Sequence, residues 1–276
     1  MATFSSISVS LGGLIESYGI GCVLYGVAVA QAYVYFSNPD RKNDAKWVQG
    51  MACFVVILET VHTGFFLRQL YFYTVLSMDN PFNLTRVDWS VPTCLVLENG
   101  IEIIVELFYI HRMWIFTRNV FMTFTTLVLL LARHGVFMYI VTMSVNASWS
   151  DAQSPILKAL VVASISLTIG LEAVLTAVMV FYLYRRRTSH PGTRGIITWL
   201  ITYYVNTGAI LTTLSIFNLV IHLVSPTSLL YVGLFNVLAK LTANVFFGAI
   251  NARHKHGTFW NEWHSSSDRY RNSSNY

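Results

Sequence analysis

Between Ile196 and Ala239 the chain carries no Asp, Glu, Lys or Arg, and the same holds from Ser17 to Phe36. Uncharged apolar runs of this length match the roughly 20 residues that a helix needs to cross the ~30 Å hydrocarbon layer of a bilayer. In that layer an unpaired backbone N–H or C=O costs several kcal/mol, so such a run folds as a helix, which satisfies its own backbone. Composition agrees: 54% of residues are hydrophobic and only 11% charged, whereas soluble domains carry about a quarter charged residues.

Seven apolar segments can be placed, at about 14–36, 48–77, 94–117, 119–143, 156–184, 196–223 and 229–250. The expected fold is all-α: a polytopic seven-transmembrane-helix bundle over residues 1–250, followed by a short cytosolic tail, 251–276. Pro39, Pro81, Pro92, Pro155, Pro191 and Pro226 all fall in connections or at span starts, where a helix tolerates them. The third and fourth spans are separated only by a tight connection around Arg118. The start of the chain lacks the basic residues of a cleavable leader, so the first span is expected to target the protein and stay in it.

Basic residues set the orientation. Thirteen lie on one side: Arg41, Lys42, Lys46, Arg112, Arg118, Arg185, Arg186, Arg187, Arg194, Arg253, Lys255, Arg269 and Arg271. Only two, Arg86 and Lys158, lie on the other. The first side is therefore predicted to be cytosolic, with the N-terminus outside and the C-terminus inside. Sequons at Asn83 and Asn146 fall on the predicted outer side and are the expected glycosylation sites. The net charge of +5 is spent on these loops, and no nucleic-acid module is present. Cys22, Cys53 and Cys94 suggest neither a disulfide nor a metal site, and no cofactor motif is visible. The expected location is the plasma membrane or the endoplasmic reticulum, with membrane lipids as neighbours.

The chemically informative residues are the ionisable groups inside the spans, since each is costly there unless paired or hydrated. Counting from the span ends puts Glu59, Glu102, Glu106, Arg133, His134, Glu172 and Lys240 near mid-membrane. Glu98, Glu102 and Glu106 recur at i, i+4 and i+8 and so share one helix face, as do Asn236, Lys240 and Asn244. Arg133 and Lys240 are the expected partners of the three carboxylates. A polar mid-membrane chamber is predicted, lined by Glu59, His62, Glu102, Arg133, His134, Asn206, Asn236, Lys240 and Asn244. Glu98 and Arg68 are expected near the outer face, Glu16 at a span start, and His222 at an interface.

Further features point to a family. "YGVAVAQAYVYF", "VELFYIHRMWIF", "GLEAVLTAVMVFYL", "TRGIITWLITYYVNTGAILTTLS" and "FNVLAKLTANVFFGAINARHK" together cover most of the spans. They resemble a set of uncharacterised seven-helix membrane proteins of mushroom-forming fungi, classed by a domain of unknown function. Glu106 and Glu172 depart from the usual pattern, which has Gln and Asp there. The resemblance implies a fold and a fungal membrane setting, and no reaction. Other seven-helix families fit poorly: "IHRMW" replaces the Asp-Arg-Tyr triplet, and the last span has no Asn-Pro-x-x-Tyr. Lys240 invites comparison with a retinal protein, but the third span lacks the aspartates of a retinal counter-ion.

Three functions stay open. The first is receptor-like binding of a small lipophilic molecule in the chamber. The second is a membrane-embedded enzyme acting on a lipophilic, terpenoid-like substrate by acid catalysis, as a cyclase or isomerase. Glu106 and Glu172 would then be the catalytic candidates, with Glu102 next. The third is a proton-coupled transporter.

Overall fold

The computed structural model describes residues 2–145, 147–149, 151, 154–185, 191–225 and 230–273. Seven long helices follow one another: α1 (Ala2–Ser37), α2 (Lys46–Tyr71), α3 (Ser90–Thr117), α4 (Val120–Ser144), α5 (Pro155–Arg185), α6 (Pro191–Val224) and α7 (Leu230–Ser273). Prolines open α5 and α6, where the missing N–H is not needed. The α3–α4 connection is two residues long. Arg118 adopts a left-handed conformation (φ 51°), and the Asn119 side chain accepts from the N–H groups of Phe121 and Met122.

Consecutive helices pack side by side into a ring that α1 and α7 close, with α3 and α7 in contact across its middle. Six helices contain stretches long and apolar enough to cross a membrane. The exception is α3, which carries three charged residues, Glu98, Glu102 and Glu106, within one crossing length. Those charges face inward: Glu98, Ile101, Glu102, Val105 and Glu106 are all buried. Residues 230–252 of α7 are also central. Its apolar stretch is 61% buried, against 17–33% in the other five spans. Outward faces carry large apolar side chains such as Tyr33, Phe121 and Leu131, which is the surface of a protein solvated by lipid. The chain is thus a multi-pass membrane helical bundle. Helix α7 does not stop at the expected tail but runs on through Ser273, there being no proline after Pro226 to end it.

One end of the bundle is capped by paired loops. Val87 N–H donates to the Ala147 carbonyl (3.1 Å), and Trp149 N–H to that of Thr85 (3.1 Å). Helix α2 reaches this cap through a π turn, Phe72–Leu76, that buries Tyr73. The Tyr73 hydroxyl donates to the Arg86 carbonyl (3.1 Å) and accepts from Asp88 N–H (3.0 Å). Arg68 sits 3.7 Å from Asp88 and over the Phe72 and Trp89 rings, at this end as expected. We call this the loop-paired end. Glu16 is exposed, and His222 is buried against Tyr231, with ring centroids 4.9 Å apart.

Helices α1 and α7 pack tightly at Gly233. A Cβ there would overlap the Ser17 side chain, while one on Gly26 meets nothing within 4 Å. Gly233→Ala should therefore lower the melting temperature in detergent, at a cost of about 1–3 kcal/mol. Gly26→Ala should not, and Gly233→Ala/Ser17→Gly should recover part of the loss. Equal melting temperatures for both single variants would contradict this packing.

Candidate functional site

The ionisable groups form two clusters rather than one chamber. The first joins α3, α4 and α5. The Arg133 guanidinium donates through Nη1 to Glu106, through Nη2 to Glu102, and through Nε to the Thr168 hydroxyl (2.8 Å). The i, i+4 spacing of the two glutamates lets one planar fork meet both. His134, next on α4, places Nε2 2.8 Å from Glu106 Oε2 and Nδ1 2.5 Å from Asn99 Oδ1. Glu106 is therefore held by a cation on one oxygen and an imidazole on the other.

The second cluster joins α2 and α7. Lys240 Nζ lies 2.5 Å from Glu59 Oε2 and also donates to the Glu59 carbonyl (3.1 Å) and the Thr63 hydroxyl (2.7 Å). The Tyr25 ring lies 5.4 Å from the same ammonium. Lys240 thus pairs with Glu59, and not with the α3 carboxylates as the sequence suggested. Rotation of α7 turns it toward α2. His62 is fully buried beside Asn236. The Asn236 and Asn244 amides donate to carbonyls of their own helix, those of Val232 (2.8 Å) and Lys240 (2.7 Å). Asn244 also reaches the Leu24 carbonyl (2.9 Å), tying α7 to α1.

Glu98 was expected near the outer face and lies instead between the two clusters. It is 1% exposed, and neither carboxyl oxygen has a hydrogen-bond partner among the described residues. Its charged neighbours are Glu102 and Arg133 on one side and Lys240 and Glu59 on the other. Asn206 is a correction in the other direction. It is exposed, because it stands about 200° around the helix from Tyr204 and Gly208, which face inward.

A void opens beside the first cluster, between α3, α5, α6 and α7. Glu102, Glu106 and Glu172 stand at one end of its wall; Leu175, Met179, Leu211 and Val245 make it apolar, and Tyr109 and Tyr204 add aromatic faces. Glu172 accepts from the Ser215 hydroxyl at 3.4 Å and has no basic group in ion-pair contact among the described residues. The Tyr109 and Tyr203 hydroxyls both donate to the Val245 carbonyl, at 3.2 and 2.5 Å. Asn99, Thr63, Thr168, Ser215 and Tyr25 were not singled out from the sequence. Neutral polar residues are frequent in such helices, and spacing gave them no distinction. Among the described residues no group of three or more His, Cys, Asp or Glu could hold a metal ion.

Of the two expected glycosylation sites, Asn83 lies in the loop-paired end, half-buried, with its amide donating to the Leu76 carbonyl (3.1 Å). Asn146 lies outside the described residues.

A family model described as a family of unknown function, DUF6534, matches residues 168–255. That stretch takes in Glu172, Ser215, Lys240 and Asn244, but neither Arg133 nor the α3 glutamates. No curated protein and no solved structure matches the chain.

Removing one member of a buried pair strands the other, at a cost of about 1–3 kcal/mol. Lys240→Met and Arg133→Leu should each lower the melting temperature in detergent. Glu59→Gln should offset much of the Lys240→Met loss, while Glu106→Gln should add to it, as residues in different networks do. Recovery by Glu106→Gln instead would place Lys240 in the wrong cluster.

Proposed function

We propose that the chain is a seven-span membrane protein, α3 being the seventh span, that binds a small lipophilic molecule in the inner void in a receptor-like manner. The observation carrying this reading is the void itself. It is apolar along most of its wall and carries a carboxyl group, Glu172, that no basic side chain pairs. Ligand sites are commonly of this kind, concave and mainly apolar with a few polar groups that fix orientation. The basic-residue bias supports an N-terminus outside and a cytosolic C-terminus, which makes the loop-paired end external. The family match and the motifs of α5 to α7 support membership of the fungal seven-helix family. The plasma membrane and the endoplasmic reticulum both suit such a chain. Glycosylation at Asn83 would require its amide to leave the Leu76 carbonyl.

A second reading, acid catalysis on a lipophilic substrate, draws on one geometric point. Asn99, His134 and Glu106 form a hydrogen-bonded series ending in the void, so Glu106 has an oriented proton partner. A proton-coupled transporter would use the same groups.

Purification in lipid nanodiscs followed by mass spectrometry of extracted small molecules tests the reading. A compound enriched with wild type should be lost from Leu211→Trp, which fills the void, and from Glu172→Gln, with both variants folded. A substrate–product pair would favour the enzyme. No enriched compound, or equal enrichment with Leu211→Trp, would overturn ligand binding in this void. Orientation has its own measurement: a reporter fused after Tyr276 should be cytosolic, and a tag near Asn146 should be accessible on intact cells. Both tags on one side would contradict the three crossings placed between them, since only an odd number separates opposite sides.

A further inference from the structure

Two more voids lie in line with the inner one. A small middle void shares Glu102 and Glu172 with it. A third lies under the loop-paired end and shares Phe137 and Phe235 with the middle void. The order is plain along α5: Leu157, Val161 and Ser164 line the third void, Ile165 and Thr168 the middle one, and Leu175 and Met179 the inner one. The Phe137 and Phe235 rings meet edge to face, with centroids 6.2 Å apart, at the boundary between the third and middle voids.

The middle void holds an unexplained group. Asn218 is 0% exposed, yet neither its amide nitrogen nor its amide oxygen has a hydrogen-bond partner among the described residues. Each unsatisfied buried group is costly. Its neighbours cannot help. Thr168 donates to the Ser164 carbonyl (3.0 Å) and accepts from Arg133, and Ser215 is turned to Glu172.

We propose that the middle and third voids together form a second binding site, separate from the inner void, for a neutral amphipathic alcohol: its hydroxyl rests on Asn218 and its hydrocarbon part lies in the third void. A hydroxyl both donates and accepts, so it meets both halves of the amide. An ether or ketone only accepts and would leave the Asn218 oxygen unpaired. An anion would face Glu102 and Glu172, and the cation on the same wall, Arg133, is already held by Glu102 and Glu106. The third void suits hydrocarbon, because Val91, Leu95, Ile140, Leu157 and Val161 dominate its wall. Displacing the Phe137–Phe235 contact joins the two spaces.

Photolabelling of the full chain in phosphatidylcholine nanodiscs tests this. The probes are dodecanol with a mid-chain diazirine and the matched methyl ether. The alcohol should label peptides carrying Ile140 and Val161 about tenfold more than the ether, equivalent to ~1.4 kcal/mol of preference. Asn218→Leu should reduce the alcohol to the ether's level. Val161→Phe, which fills the third void and leaves Asn218 untouched, should abolish labelling there by either probe. Equal labelling by alcohol and ether, or labelling confined to lipid-facing Phe121 and Leu131, would overturn the proposal. So would labelling confined to Met179 and Leu211, but that outcome would leave ligand binding in the inner void standing.

Discussion

The fork of Arg133 between Glu102 and Glu106 is the contact on which the interior depends. A guanidinium inside a bundle surrounded by lipid cannot stand alone, and no water from outside reaches it cheaply. Two carboxyl groups from one face of α3 and one hydroxyl from α5 satisfy it, so three helices are fixed in rotation and height by one side chain. The charged face of α3 must then point inward. That is why a helix with three glutamates within one crossing length keeps all three buried.

Lys240 and Glu59 do the equivalent work for α2 and α7, but with a different consequence. Their pair is packed under Tyr25 and Thr63 and borders none of the three voids. It is a clamp. The Arg133 cluster borders two voids and is therefore both a clamp and a wall. Similar residue types at similar depth thus serve different ends, and what separates them is adjacency to empty space.

Much of this was legible beforehand, and the failures have particular causes. Long uncharged runs and prolines placed the helices, since both act locally. The i, i+4, i+8 spacing put the three glutamates on one face. Glu98 was judged too shallow because the span was started at 94, whereas the helix begins at Ser90, one turn earlier, beneath a cap of paired loops. The choice of Glu59 over the α3 carboxylates for Lys240 depends on how α7 is rotated within the ring, which no single helix encodes. Asn206 was chosen by residue type alone, and its helix turns it outward. Asn218 drew no notice because an amide in an apolar helix looks ordinary until its partners are counted.

Helix α6 stands apart in the way it is held. From Ile197 to Val224 it has no charged residue, and its apolar stretch is the least buried of the six apolar spans, at 17%. Its ties to the rest include Ser215 to Glu172, the Tyr203 hydroxyl to the Val245 carbonyl, and the Tyr204 ring under the Arg112 guanidinium. Among the described residues none of these is an ion pair, whereas α2, α3, α4 and α7 are each tied by one. Helix α6 also walls both the inner and the middle void, through Tyr204, Leu211, Ser215 and Asn218. The ion clusters therefore secure the side of the bundle that needs a fixed geometry for its carboxyl groups. The side walled by α6 is closed by apolar packing and by hydrogen bonds, with no ion pair among the described residues.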